Sequence, residues 1–334
     1  MKDNINPKRP WLIRRGIRVW KRRGLKYFLH TIPIYLIEKY VDNTKKSPIA
    51  EKFVIKDILG SKMYLDATDF GLSHDLIRDG IREAYQVEVV NEEVKPGDVV
   101  IDVGANIGYY ALLESRLTGK NGKIYAIEPV PANVEILRIN RELNQYDNIE
   151  VFQLAISDKK GHTTMYVPRE RNLSRIKASM GGNQSNTIEV ETATLDDFLQ
   201  GKRYPQVIRM DVEGAEYQIV KGMEKTLMGN LPLVIFMEIH FDILTNIEST
   251  NLLEALKNTG FEIKDATFEG WMKGFGNYKT LGKIACFFRR RRCPNAPRFG
   301  YVKLTINDIL ANKAILNGDW GALEICFKRS GETK

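Results

Sequence analysis

Cysteine is scarce in this chain of 334 residues: there are three, Cys286, Cys293 and Cys326, and their spacing fits no metal-ligand pattern. An odd, scattered set points to reduced thiols and a cytosolic location, although Cys286 and Cys293 could approach one another. Histidine is nearly as rare, at four residues. Long apolar runs are missing from the first 44 residues, where the longest charge-free stretch, Tyr27 to Ile37, is eleven residues and contains a proline. A membrane-spanning helix needs about twenty, so a transmembrane span is excluded there. Cations are spread through the segment and no small-residue cleavage site follows an apolar core, which argues against a cleaved signal peptide. A dinucleotide fingerprint, G-x-G-x-x-G, is also lacking: the chain offers Gly104-Ala105-Asn106-Ile107-Gly108, with Asn106 in the second glycine's place. A pyrophosphate would be crowded there, and a ligand with a smaller anionic group is favoured.

What is present begins at Val99 to Tyr110, VVIDVGANIGYY. Four β-branched residues, Val99, Val100, Ile101 and Val103, predict a buried parallel strand with Asp102 near its carboxyl end. Gly104 and Gly108 bracket the following turn and, having no Cβ, allow backbone N–H groups to approach a ligand at the positive end of the next helix. A second strand, KIYAIEPV, ends in Glu128, a carboxylate placed to accept hydrogen bonds from vicinal ribose hydroxyls. NAD sites share that carboxylate, so the turn discriminates, and it fits S-adenosylmethionine.

GDVVIDVGANIGYY, AIEPVPANVEILRINRELN, VFQLAISDKKG, TLDDF, VIRMDVEGAEYQIVKGM and VIFMEIH occur in that order between Val94 and His240. In this the chain resembles the FkbM-type S-adenosylmethionine-dependent methyltransferases. The resemblance implies a class I methyltransferase fold, a Rossmann-like doubly wound α/β sheet, and O-methylation of a hydroxyl on a sugar, glycolipid or polyketide. Carried over position by position, it puts Asp102, Gly104, Asn106 and Gly108 around the methionine moiety and Glu128 on the ribose. The third strand, Ile149 to Ile156, would bring Ser157 and Asp158 to the adenine. Asp211 and Glu213 would face the transferred methyl. Family members commonly read Tyr-Glu upstream of the first strand where this chain has Tyr85-Gln86, and Glu88 is close enough to supply the missing carboxylate.

His240 follows an apolar run, Leu233 to Ile239, and emerges at the rim of the other strand ends. A neutral imidazole there is suited to take a proton from an alcohol; the alternative is a hydrogen-bonded rim histidine with no chemical role. Catalytic candidates are thus Asp211, His240 and Glu213. No metal is assigned, since two carboxylates two residues apart, Asp211 and Glu213, are common on turns.

Charge is unevenly distributed. Residues 1–30 carry ten Lys or Arg against Asp3, a balance of +9; the whole chain is +8, so the remaining 304 residues sum to −1. The basicity belongs to an arm, 1–44, in which Trp11, Trp20 and aliphatic residues alternate with cations. An interfacial helix on an anionic membrane, a nucleic-acid-binding arm and a helix packed on its own domain are the competing readings, with the membrane surface ranked first. Residues 45–93 form a cap, with hairpin-like alternation over Phe53 to Tyr64 and a helical Ser73 to Glu93. Residues 94–334 hold the methyltransferase domain, mostly parallel with an antiparallel final strand. FEIKDATFE and ALEICFKR are its last two strands, separated by an insertion at about 270–320 that contains Arg289 to Arg292 and is where acceptor specificity is expected. The expected partner is a small-molecule or glycan acceptor, at or near the cytoplasmic face of the membrane. Nucleic acid ranks below it, oligomeric state is open, and RNA methylation and a non-catalytic cofactor-binding scaffold are the rival functions.

Overall fold

A computed structural model of the chain describes residues 53–69, 71–167, 187–229, 231–268, 300–302 and 304–331. The basic arm, Cys286, Cys293 and Arg289 to Arg292 lie outside them. In chain order the elements are β1 (Phe53–Ile58), β2 (Ser61–Asp66), α1 (Leu72–Asp79), α2 (Ala84–Glu93), β3 (Val99–Val103), α3 (Tyr109–Thr118), β4 (Lys123–Ile127), α4 (Pro131–Leu143), β5 (Ile149–Phe152) and β6 (Ala155–Ile156). There follow β7 (Gly161–Tyr166), β8 (Thr187–Ala193), α5 (Leu195–Phe198), β9 (Val207–Met210), α6 (Glu216–Lys221), α7 (Glu224–Met228) and β10 (Leu233–His240). The last are α8 (Asn246–Asn258), β11 (Glu262–Phe268), β12 (Gly300–Val302), α9 (Ile306–Ala311), α10 (Lys313–Leu316) and β13 (Ala322–Arg329).

Eight of these strands build one sheet in the order β12-β11-β13-β10-β9-β3-β4-β5. From β5 to β10 all neighbours run parallel, while β13 is antiparallel to both β10 and β11. β12, antiparallel to β11 at the sheet edge, and β13, the last strand in sequence, thus run against the other six, in keeping with the doubly wound, mostly parallel sheet expected. β3 and β10 are buried along their whole length, which is why they read as unbroken apolar runs rather than as alternating ones.

Successive side chains still divide between the faces. Val99, Ile101 and Val103 of β3, with Ile208 and Met210 of β9, enter a core shared with α6, α7 and α8. Val100 and Val207 enter a second core, shared with the β1–β2 hairpin, α1, α2, α3 and α4. Helices therefore cover both faces. Parity puts Asp102, Arg209 and Asp211 on the second face. It puts Glu238 and His240 there too, because Val234 and Phe236 of β10 belong to the second core.

The expected third strand, Ile149 to Ile156, is divided. β5 stops at Phe152, and β6 pairs instead with β8 in a separate three-stranded sheet of order β6-β8-β7. That sheet closes over its own small core of Val130, Ala155, Met165 and Val190.

Candidate active site

At the carboxyl end of β3 the chain turns through Gly104 (φ 81°), Asn106 (φ 52°) and Gly108 (φ 94°) before α3 begins. Only glycine fits at 104: a Cβ there would lie 2.2 Å from the Asp211 carbonyl oxygen, because the ends of β3 and β9 close together at this point. At 108 it would meet Leu137 Cδ1 at 2.4 Å.

The turn keeps its own N–H groups. Gly104 N and Ala105 N both donate to Ile127 O, at 2.9 and 3.0 Å, and Gly108 N donates to Ala105 O. Asn106 N donates to Glu128 Oε2 at 2.9 Å, and Ile107 N to Asn106 Oδ1 at 2.8 Å. The expectation that these amides face a ligand is thus corrected: they brace the turn against the end of β4.

Glu128 is the centre of that bracing. Its Oε1 accepts from Val130 N at 2.9 Å and Asn133 Nδ2 at 3.2 Å, which pins the start of α4 to the same carboxylate. The side chain is nearly fully buried, and burial outweighs these three hydrogen bonds to push its pKa up to about 7. Oε2 retains an acceptor position, because a carboxylate offers about four.

Beneath the turn lies a buried charged group. The parallel register sets Asp102 beside Arg209, and Arg209 Nη1 donates to Asp102 Oδ1 at 3.4 Å. The guanidinium lies over the Tyr110 ring, 3.6 Å from its centroid, a cation–π contact in a dry environment. Glu114 of α3 is wholly buried with neither carboxylate oxygen bonded, and burial, followed by the Asp102 charge, raises its pKa well above the usual range, so it is neutral. Asp102 itself is fully buried, and its Oδ2 makes no hydrogen bond. It lies below the cleft rather than on its wall, against the expectation that it contacts the methionine moiety.

A small cleft opens above, lined by Gly104, Ala105 and Asn106 of the turn, by Tyr109 and Tyr110, by Arg209 and Asp211, and by Leu72, Arg82 and Glu83. The last two were not singled out in the sequence. Arg82 Nε donates to Glu83 Oε1 at 2.8 Å, Tyr109 Oη donates to Arg82 O at 2.7 Å, and Tyr110 Oη donates to Glu83 Oε2 at 3.0 Å. The link between α1 and α2 is thereby bolted to the start of α3. Glu88 is exposed, so it does not stand in for the carboxylate missing at position 86; Glu83 is the buried acid beside the cleft.

Asp211, Glu213 and His240 converge at the ends of β9 and β10, one ligand-type atom of each lying within 4.8 Å of the others. His240 is the last residue of its strand and only 5% exposed. Its Nδ1 lies 2.6 Å from Glu216 Oε1, and its Nε2 lies 3.4 Å from Glu213 Oε2 and 3.8 Å from Glu238 Oε1. Burial opposes charge on the ring, but Glu216, then Glu238 and Glu213, more than offset it and hold the imidazole pKa well above its ordinary value. The surrounding acids favour the charged ring, against the neutral imidazole expected as a base. Glu216 and Glu238, both buried, are site residues that sequence reasoning missed, although a lone acid inside LVIFMEIH is a visible signal.

Ser157 and Asp158 do not join this constellation. With β5 ended at Phe152, Ser157 N donates to Ala193 O at 2.9 Å in the second sheet, and Asp158 pairs with Lys221 Nζ at 2.9 Å. Of the predicted residues, Gly104, Asn106 and Asp211 line the cleft, while Glu213 and His240 join it through Asp211. Among the described residues no helix is long and apolar enough to cross a membrane.

Residues 102–263 match the model of the methyltransferase FkbM domain. The chain is 27% identical over 166 residues to the hexuronic acid methyltransferase AglP of Haloferax volcanii, covering 49% of this chain and 65% of that protein. It is 28% identical over 162 residues to the 31-O-demethyl-FK506 methyltransferase FkbM of Streptomyces tacrolimicus, covering 40% of this chain and 62% of the relative. The crystal structure of methyltransferase FkbM from Methylobacillus flagellatus superposes with a TM-score of 0.30 at 19% identity, over 45% of this chain and 39% of that one. The chain spans less than two thirds of the length of these curated relatives.

Proposed function

Because residues 102–263 make up an FkbM-type methyltransferase domain, we propose that the chain is an S-adenosylmethionine-dependent O-methyltransferase acting on a hydroxyl of a sugar, in a glycan or lipid-linked saccharide. The observation that carries this is the meeting of the glycine turn with Asp211, Glu213 and His240 at one rim of the sheet. The sugar class rests on the likeness to a hexuronic acid methyltransferase.

The residues present fit the cofactor. Glu128 Oε2 keeps an acceptor position beside the turn for a ribose hydroxyl. Asp211 places a carboxylate on the cleft wall, suited to lie near a ligand that bears positive charge. When bound, S-adenosylmethionine supplies a methyl group already activated by its sulfonium. The protein's share is then to position an acceptor oxygen and receive its proton.

Asp211, its side chain about a quarter exposed, is the group placed to accept that proton at the cleft wall. His240, its Nδ1 held by Glu216, stands beside Glu213 with Nε2 turned toward it. The aromatic wall of Tyr109 and Tyr110 screens the cleft from water on the α3 side.

Calorimetric binding of S-adenosylhomocysteine to the wild type and to Glu128→Ala tests the cofactor site, and transfer of labelled methyl to uronic-acid and neutral saccharides tests the acceptor. Binding lost in the variant and label in a sugar are expected. A folded wild type that binds no S-adenosylhomocysteine refutes the reading, and label appearing only in RNA refutes the acceptor class. Cofactor turnover with any acceptor excludes a non-catalytic scaffold.

A further inference from the structure

We propose that Asp211, Glu213 and His240 form a divalent-cation site of the magnesium or manganese class, which holds the acceptor by its oxygens. The sequence alone assigns no metal, because Asp211 and Glu213 on one turn are weak grounds. What changes the case is the histidine brought to them from β10. The three donor atoms lie within 4.8 Å of one another. An octahedral ion with bonds of about 2.1 Å sets adjacent ligands roughly 3.0 Å apart and opposite ones roughly 4.2 Å, so side-chain movements of up to about 1–2 Å close the site.

Two independent features point to an ion rather than to an incidental acidic turn. First, His240 is 5% exposed and its Nδ1 is committed to Glu216 Oε1 at 2.6 Å, so Nε2 is aimed at Glu213. At 3.4 Å, Nε2 has no hydrogen bond of ordinary length there. A carboxylate on one ring nitrogen with the other turned toward oxygen ligands is the arrangement that fixes metal-binding histidines. Second, Glu216 is fully buried, and its Oε2 has no hydrogen-bond partner, although Oε1 also accepts from Gly214 N at 3.0 Å. With Glu238 Oε1 at 3.8 Å from the same ring, four carboxylates surround one imidazole. A divalent cation bound at Nε2 would displace a proton from the ring and take its place among these acids.

Carboxylate and imidazole donors suit magnesium or manganese, and the absence of a thiolate disfavours softer ions. Three protein ligands leave positions on the ion for a hydroxyl and an adjacent oxygen of the acceptor. A vicinal diol or a hydroxy-carboxylate offers that pair, which narrows the proposed sugar class to acceptors able to chelate. Asp211 faces the cleft, so the ion and its acceptor would share the space beside the turn.

This inference rests on the methyltransferase reading, and its test separates the two. Manganese binding to the full-length protein is followed by electron paramagnetic resonance, with S-adenosylhomocysteine binding measured on the same samples. The wild type is expected to bind one manganese per chain. Asp211→Asn and His240→Gln are expected to weaken it by about tenfold or more, and Glu216→Gln, acting only through the ring, to weaken it by a similar factor. Circular dichroism reports that each variant is folded; if buried His240→Gln fails, the more exposed Asp211→Asn decides. A wild type that binds S-adenosylhomocysteine but no manganese overturns the cation site and leaves the methyltransferase reading standing. Manganese binding that survives in Asp211→Asn overturns it as well. Loss of S-adenosylhomocysteine binding in the wild type, with manganese still bound through these residues, supports the cation and overturns the cofactor site instead.

Discussion

Glu128 links stability and cofactor affinity to pH, and the linkage can be worked through. Burial raises its pKa from 4.5 to about 7 in the folded protein. A raised carboxyl pKa means that the native state binds the proton more tightly than the unfolded chain, so this group stabilises the fold most when protonated. Its contribution is largest below pH 4.5 and is lost as pH rises to about 7. Between pH 5 and pH 8 the loss is about 2.5 kcal/mol, from two-state proton linkage with those two values. Other groups titrate over the same range, so the informative quantity is the wild type compared with Glu128→Gln. The stability of the wild type relative to the variant should fall by about 2.5 kcal/mol from pH 5 to pH 8, measured by urea unfolding. Cofactor binding should move the other way. If ribose hydroxyls donate to the ionised carboxylate, the wild-type affinity for S-adenosylhomocysteine rises by roughly tenfold between pH 6 and pH 8, as the ionised fraction rises. Glu128→Gln should show neither trend. A stability difference that stays constant within about 0.5 kcal/mol across the range would refute the burial argument. A wild-type affinity that is flat in pH would remove Glu128 from the ribose.

Further outcomes follow from the same geometry. Gly104→Ala places a Cβ 2.2 Å from the Asp211 carbonyl at a φ of 81°, so it should cost more than the roughly 1–2 kcal/mol of the left-handed conformation alone and abolish S-adenosylhomocysteine binding. Normal stability in urea would show that the ends of β3 and β9 separate easily. Arg209→Met leaves Asp102 buried without its cation and should destabilise by about 3–5 kcal/mol, with part recovered in the double variant carrying Asp102→Asn; absence of any recovery would mean that the charge pair is not the cause. Glu88→Ala should change stability and turnover little, within about 0.5 kcal/mol, while Glu83→Ala, which breaks the bonds to Tyr110 and Arg82, should lower both. Equal effects from the two would restore Glu88 as the substitute acid.

Much of the scaffold was legible because its signals are local. Two β-branched runs, a glycine turn with positive φ at 104 and 108, and a carboxylate ending the next strand locate β3, α3 and β4 within a residue or two. β13 was legible as a strand in ALEICFKR near the end of the chain, and its antiparallel direction was what the resemblance implied. The second sheet was not. Only two residues of β6 leave the line of β5, and nothing in LAISD distinguishes a strand that continues from one that changes sheets. Reading Ile149 to Ile156 as one strand missed that Ala155 and Ile156, just before Ser157 and Asp158, pair with β8 instead. Pairing decided this, and pairing is not written in a single segment.

The roles of the acids were misjudged for a related reason: residue type fixes what a side chain can do, and register fixes which of those things it does. Asp102 and Asp211 both stand at strand ends and look alike in sequence. Parallel pairing puts Asp102 directly beside Arg209, where it is sealed under Tyr110 and serves as the counterion of a buried guanidinium. Asp211 lies two residues further along β9 on the same face, past the last paired residue, and so reaches the cleft. The same arginine touches both, with Nη1 at 3.4 Å from Asp102 and Nη2 at 3.9 Å from Asp211. Arg209 therefore sets the division of labour: it pairs with the inner acid, Asp102, and leaves Asp211 at the cleft wall beside Glu213 and His240.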